Sequence, residues 1–360
     1  MISITRDDPG VQWLLASAEP AVRCLTLTDV LGERPDNPDV VAARTAFADG
    51  PIARALLAPG HEHVYAKWQG AFWRLSALVE LGVPPDQPAA HDQLRTVLSW
   101  LHRMERTGYP PVIAGRPRAH AVWHGHALAA AVALDWPDQR ETAWLVERLL
   151  QWQWPDGGWN CDRHAHPACS SVHESLGPVW GLAAYHRLTA DPHAGQAVHR
   201  AAEFFLERRL FRSRQTGAVI HPSWLRFRHP AYYHYNVLQA LWVLGTAGLA
   251  ADPRVDDAVD LVASRRRRDG AWDANGRWWN QVGRPGPNVE VADWGHSRPN
   301  YLITLKALTV LASRGNAARD EPERSEAGVA GLDTREASGG DDGHQILHAV
   351  GHAVVHDQRQ

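Results

Sequence analysis

Cys161, His173 and His234 are the residues of this sequence best suited to hold a metal ion. One thiolate and two imidazoles match Zn²⁺ and leave its fourth position open for water or substrate, the composition of a catalytic site. Cys161 lies in the loop that enters an apolar helical segment. His173 stands near the start of that segment and His234 near the start of the next, so the three converge if those starts share one end of the fold. Asp162, beside the thiol, is a further ligand or a catalytic carboxylate. His164, His166 and Cys169 are rival ligands in the same loop. The competing reading makes Cys161 a small buried hydrophobe and both histidines polar core groups.

Acid–base chemistry without a metal is a second route. His120, His124 and His126 cluster at another segment start, with Glu174 and Asp293 as carboxylates able to tune an imidazole. His124 is the expected catalytic member, with His173 and Glu174. His124 and His126 are two residues apart and cannot share a helix face. Aromatic residues near the same starts (Trp68, Trp73, Trp123, Tyr232, Tyr233, Tyr235 and Trp294) would line a cavity for an apolar substrate and stabilise cations. Gln69 and Asn236 add polar contacts there. Arg298, and Arg116 with Arg118, are placed to meet an anion where helix N–H groups are free. No Gly-x-Ser-x-Gly elbow and no glycine-rich phosphate loop occurs.

The elements that must position these groups read as helices. Apolar residues recur at i, i+3, i+4 and i+7, as in Trp144, Leu145, Leu149 and Leu150. Two kinds alternate. Segments 38–57, 91–106, 139–153, 194–210 and 254–267 are amphipathic and charged, as outer helices are. Segments 66–82, 120–135, 171–188, 232–247 and 299–313 are apolar on most faces and rich in small residues, as helices buried all round are. Landmarks at the apolar starts recur every 49 to 66 residues, an internal repeat. The turn Asp156-Gly157-Gly158-Trp159 returns as Asp269-Gly270-Ala271-Trp272. A helix near 11–31 would supply part of a sixth pair. Five or six helical hairpins closing into a ring bury the apolar helices on both sides and gather their N-termini around a central cavity.

Composition narrows the function classes. A net charge of −3 over 360 residues offers no nucleic-acid surface. Three cysteines make no disulfide framework. The first residues lack the regions of a signal peptide, and no run of about 18 apolar residues exists for a membrane span. A cytoplasmic location is therefore expected. Lys67 and Lys306 are the only lysines, read as coding bias toward arginine.

The segment Gln153…Asp156-Gly157-Gly158-Trp159 resembles the Gln-Trp repeat motif of squalene and hopene cyclases. The alternation of outer and inner helices over roughly residues 40–313 is similar to the α/α-toroid of terpenoid cyclases and of protein prenyltransferase β subunits. Closer still is the resemblance to bacterial proteins described as squalene-cyclase-like or prenyltransferase-like. It is carried by Lys67-Trp68-Gln69-Gly70, Trp154 through Asp162, His173-Glu174-Ser175, His234-Tyr235-Asn236 and Asp293-Trp294-Gly295. The resemblance implies an enzyme acting on an isoprenoid-like or other apolar small molecule by cyclisation, prenyl transfer or hydrolysis. Two features of those families are missing. There is no Asp-x-Asp-Asp acid, which speaks against squalene cyclisation started by protonation. There is also no Asp-x-Cys zinc pair, so a metal site would be built differently. A carbohydrate-active toroid and a non-catalytic binding toroid are the alternative readings.

After Arg314 the sequence changes character. Residues 315–343 have few large apolar groups, and disorder is expected there. His344, His348, His352 and His356 would share one face of a short helix. The expected organisation is thus one toroid domain over 1–314 and a tail over 315–360.

Overall fold

Proline and short polar side chains set the helix starts. Pro9, Pro20, Pro38, Pro51, Pro88 and Pro192 each stand at the first turn of a helix, where a missing N–H costs nothing and a fixed φ helps. Asp8, Asn37, Asp138, Asp191 and Asn236 accept first-turn N–H groups as caps. A computed structural model describes residues 4–295 and 298–317. The tail with its four spaced histidines, together with His296 and Ser297, lies outside the described residues.

The described chain is all-α apart from one short hairpin. Its helices are α1 (Pro9–Leu15), α2 (Pro20–Leu25), α3 (Pro38–Thr45), α4 (Pro51–Leu57), α5 (Ala71–Glu80), α6 (Pro88–Arg106), α7 (Ala121–Ala133), α8 (Gln139–Trp152), α9 (Val172–Thr189), α10 (Pro192–Leu206), α11 (Val237–Thr246), α12 (Asp256–Ser264) and α13 (Tyr301–Ala317). A π-helical turn, Thr26–Val30, continues α2. Strands β1 (Val112–Ile113) and β2 (Arg116–Pro117) pair antiparallel between α6 and α7.

The two expected kinds of helix separate. α5, α7, α9, α11 and α13 pack in sequence, each against the next, and α13 also meets α1, α2 and the π turn. α6 and α12 lie against both helices they connect, while α8 packs on α7, α10 packs on α9, and α8 and α10 meet each other. Four expectations change. Segment 38–57 is not one outer helix but α3 and α4, separated by a 3₁₀ turn at Phe47–Asp49, with Pro51 opening the second. Segment 66–82 becomes helical only at Ala71, and segment 232–247 only at Val237. Trp68 (φ 27°) and Tyr232 (φ 52°) precede those starts in left-handed conformations that helices do not admit. The N-terminal helix near 11–31 is likewise three pieces, α1, α2 and the π turn.

Small residues decide the closest packing. A Cβ on Gly125 of α7 would stand 2.3 Å from the carbonyl carbon of Gly177 on α9, and one on Gly181 would stand 2.3 Å from the Gly125 oxygen. The two backbones touch there, which places the start of α7 beside the start of α9. Pro178 follows inside α9 and cannot donate to the carbonyl of Glu174, four residues earlier.

The repeated turn is a repeated bond set. The Trp159 indole donates to Leu149 O (2.9 Å), and the Trp272 indole to Val262 O (2.7 Å), ten residues back in both cases. Trp159 N donates to Ser175 Oγ (2.9 Å) and Trp272 N to Thr304 Oγ1 (2.9 Å). Ser171 N returns to Trp159 O (2.8 Å), and Asn300 N to Trp272 O (3.0 Å). Gly157 (φ 92°) and Gly270 (φ 82°) hold the left-handed position in each copy, which glycine occupies at little cost.

Candidate metal centre

The first copy of the turn delivers Cys161 to the start of α9. Asp156 accepts from Ser170 N (2.7 Å) and Ser170 Oγ (2.6 Å), and Asn160 donates to Cys169 O (2.9 Å), so the loop folds back on itself. Cys161 is left 7% exposed, facing the helix start. There it meets His120, which precedes α7, and Glu174, in the first turn of α9. Ligand atoms of His120, Cys161 and Glu174 all lie within 4.8 Å of one another, the only such group of three or more among the described residues.

Glu174 is the hub. One carboxylate oxygen accepts from Val122 N (3.3 Å), capping α7 from the neighbouring helix, and the other faces His120 Nδ1 at 3.0 Å. Burial pushes its pKa up, but His120 and the hydrogen bonds from His120, Cys161 and Val122 outweigh that and hold the carboxyl below its usual range. The Cys161 thiol is pushed well above its usual range, first by burial and then by the Glu174 charge to which it hydrogen-bonds. His120 is further fixed by stacking on Trp123 (4.4 Å) and by the bond from its backbone N–H to the Tyr109 hydroxyl. The chemistry of the donors fits Zn²⁺: sulfur, nitrogen and oxygen, already close together. Binding a metal would replace the thiol proton.

The group of residues that could hold a metal therefore differs from the sequence expectation. Cys161 stays, but His173 and His234 do not join it. His173 Nδ1 accepts from Tyr235 N (3.1 Å) and joins α9 to the chain before α11. His234 stacks on Trp278 at 3.8 Å, and burial, with His173 next to it, lowers its pKa to about 3. The sequence placed both at the right end of the fold. It could not show that backbone and indole partners hold them elsewhere. His120 and Glu174 were visible only as members of an acid–base cluster in which His124 was the expected catalytic histidine.

Other assignments change too. His124 is not at the cavity. It is 1% exposed, packs edge-on against Trp152 (4.6 Å) under α8, and has no hydrogen-bond partner on either ring nitrogen. Burial lowers its pKa to about 3, so it stays neutral. Of the three clustered histidines His126 faces inward, with Nδ1 2.9 Å from Ser76 Oγ. Tyr235 spends its hydroxyl on Leu210 O (2.6 Å), and Asn236 caps α11 through Gln239 N (3.0 Å). The Arg298 side chain is 76% exposed and pairs with Asp273 (3.5 Å). Arg116 and Arg118 lie over the Trp154 ring at 4.9 and 4.6 Å. Asp162 accepts from His164 N (2.9 Å) and closes a turn. Asp293 does the same for Gly295 N (3.0 Å).

Aromatic residues do gather at these helix starts. Trp68 and Tyr232 stack at 4.0 Å with a 3° interplanar angle, Trp73 meets both, and Trp123 contacts Tyr65, Trp100 and Tyr109. Gln69 donates to Val289 O (3.1 Å) and anchors the segment that carries Glu290. Glu290 is 2% exposed, and its carboxyl contacts the Tyr232 hydroxyl. Burial raises its pKa to about 7. Trp294 packs against His229 at 4.9 Å.

A second polar group lies farther down the inner helices. Lys306 of α13 donates to Glu80 Oε2 of α5 and to Gln239 Oε1 of α11, both at 2.6 Å, and both charged side chains are 7% exposed. A lone lysine in an otherwise apolar helix was the signal in the sequence. No helix among the described residues is long and apolar enough to cross a membrane. Compared with models of known protein families and with curated proteins, the chain matches none.

Proposed function

We propose that the chain is a zinc enzyme of α/α-toroid architecture acting on an apolar small molecule of isoprenoid-like character. The observation that carries this reading is the convergence of His120, Cys161 and Glu174 at the starts of α7 and α9. Bound there, Zn²⁺ would supply Lewis acidity and lower the pKa of a coordinated water or substrate group. The protein's own contribution is positional. Glu174 orients His120, Trp123 fixes the imidazole plane, and the partly buried rings of Tyr65 and Tyr109 pack around Trp123 beside it. Stacked Trp68 and Tyr232 give an aromatic face suited to hydrocarbon and to developing positive charge. The order of contacts α5–α7–α9–α11–α13, with α13 returning to α1 and α2, supports ring closure.

Metal analysis of the purified chain tests the reading. One zinc per chain is expected, lost in Cys161→Ala and weakened 10- to 100-fold in His120→Ala and Glu174→Gln, but kept in His173→Ala and His234→Ala. A folded, metal-free protein in zinc-supplemented buffer sinks the zinc assignment. A panel of prenyl diphosphates and prenyl alcohols, scored by turnover and thermal shift, then tests the substrate class. Silence across the panel in zinc-loaded protein overturns it.

A further inference from the structure

Away from the zinc candidate, a cavity of about 480 Å³ opens among the C-terminal parts of α5, α7, α9 and α11 and along α13. Its size falls within the roughly 300–1,000 Å³ of small-molecule sites. Val79, Ala129, Leu241, Leu305, Trp180 and Trp242 are among the residues of its wall, Glu80 with Lys306 supplies a buried polar floor, and the exposed Asp29 and Arg187 also line it. At the rise of an α-helix, the ten residues from Glu174 to Ala184 on this wall span about 15 Å.

The floor is specific in what it can receive. Lys306 has three donors. Two are used, on Glu80 and Gln239, and the Trp242 ring lies 4.7 Å away. Glu80 uses one bond on each oxygen, from Lys306 (2.6 Å) and Gln239 (3.3 Å), so lone pairs remain on both. The formal charges of the pair cancel. A second anion would confront Glu80 and a second cation Lys306, at close range and out of water. A hydroxyl meets neither objection, because it can donate to the carboxylate and accept from the ammonium. A buried ion pair is also weak evidence of a stabilising device, since apolar residues of like volume do as well or better.

We propose that this cavity binds a neutral, largely hydrocarbon alcohol, with its hydroxyl on the Glu80–Lys306 pair and its chain against Trp180 and Trp242. The site is separate from His120, Cys161 and Glu174 and needs no metal.

The test uses the full chain with three probes of equal length, 1-decanol, decanoate and decylammonium, followed by tryptophan fluorescence and native mass spectrometry. Saturable one-to-one binding of decanol is expected, with both ions at least tenfold weaker. Chelator-treated protein should bind decanol equally well, which keeps this result independent of the zinc reading. Gly245→Phe should abolish binding, because Gly245 lines the cavity and a Cβ there meets nothing within 4 Å. The double variant Glu80→Leu, Lys306→Leu leaves no orphaned charge and should weaken decanol at least tenfold. It also serves if Gly245→Phe fails to fold. Absence of saturable decanol binding, equal affinity for the three probes, or full decanol binding by folded Gly245→Phe overturns the proposal.

Discussion

Residues 153–162 and 266–275 are two copies of one turn that differ in what they carry. Both put a tryptophan indole on a carbonyl ten residues back, and both donate the tryptophan backbone N–H to a hydroxyl of the following inner helix. Beyond the tryptophan they diverge. The first copy continues Asn160-Cys161-Asp162, and the second Asp273-Ala274-Asn275. Asp273 is drawn into ion pairs with Arg267 and Arg298, whereas Asn160 holds the loop that presents Cys161. The shared part is scaffold, and the one member of the candidate metal cluster that a copy carries, Cys161, lies two residues beyond it. A motif that announces an architecture therefore says little about activity.

If the shared part is scaffold, the copies should fail alike when it is broken. Trp159→Ala and Trp272→Ala each remove an indole with no exposed surface. Each should cost about 3–5 kcal/mol, read as matched losses in urea unfolding. A difference above about 2 kcal/mol would show that one turn is local decoration. If the chemistry is asymmetric, Ala274→Cys should not create a zinc site. Stoichiometric zinc in an Ala274→Cys, Cys161→Ala double variant would erase the distinction.

The surroundings of the copies should also respond to pH in opposite directions. His124 packs on Trp152, at the end of the helix before the first copy, with its pKa lowered to about 3. The unfolded chain takes up that proton near pH 6.5 and the folded chain does not, so the stability from the neutral imidazole is lost as pH falls from about 6.5 toward 3. His124→Leu should flatten the acid limb of the stability curve. Glu290 follows the second copy with its pKa raised to about 7. The unfolded chain releases that proton near pH 4.5 while the folded chain keeps it, so stability falls as pH rises from about 4.5 to 7. Glu290→Gln should gain on the parent protein across that window by up to about 3 kcal/mol at pH 7. Unfolding free energies measured between pH 4 and 8 check both signs, and parallel curves for parent and variants refute them.

Much of this was legible in the sequence. Apolar segments rich in small residues, spaced by charged ones, gave the alternation of helices, because burial on all faces leaves no other composition. What it could not give was the direction of each side chain within a helix start. His120 and His124 are four residues apart in one segment, yet one meets Glu174 and the other lies under Trp152. The frame is set by where α7 begins, and that depends on Glu174 reaching across from α9 to Val122 N. Ligand choice was thus a tertiary property. Lys306 shows the reverse case. Its position in an apolar helix was plain, but its rarity in an arginine-rich chain drew the reading toward coding bias.

The smallest expected effect concerns the position six residues before each tryptophan. Gln153 donates to Gly157 O (2.7 Å) and Ala197 O (2.8 Å), tying its turn to the neighbouring helix α10. Arg266 holds the same place in the second copy, but there the neighbour is α1, from the other end of the chain. Its guanidinium bonds Asp8 at 2.5 Å, and Asp8 also caps α1 through Gly10 N (2.9 Å). Gly10 and Gly270 touch backbone to backbone, and Trp13 stacks on Tyr301 at 4.0 Å. The second turn therefore joins first helix to last, where no covalent connection helps. Arg266→Ala should cost about 2 kcal/mol, the usual worth of a charge-assisted bond largely out of water, and Gln153→Ala about 1 kcal/mol. Hydrogen exchange separates them better than global stability does. In Arg266→Ala, protection should fall first in α1 and α13, while α7 and α9 keep theirs. Uniform loss along the chain would mean that the ends are held by the core as a whole and that the second turn is no seam.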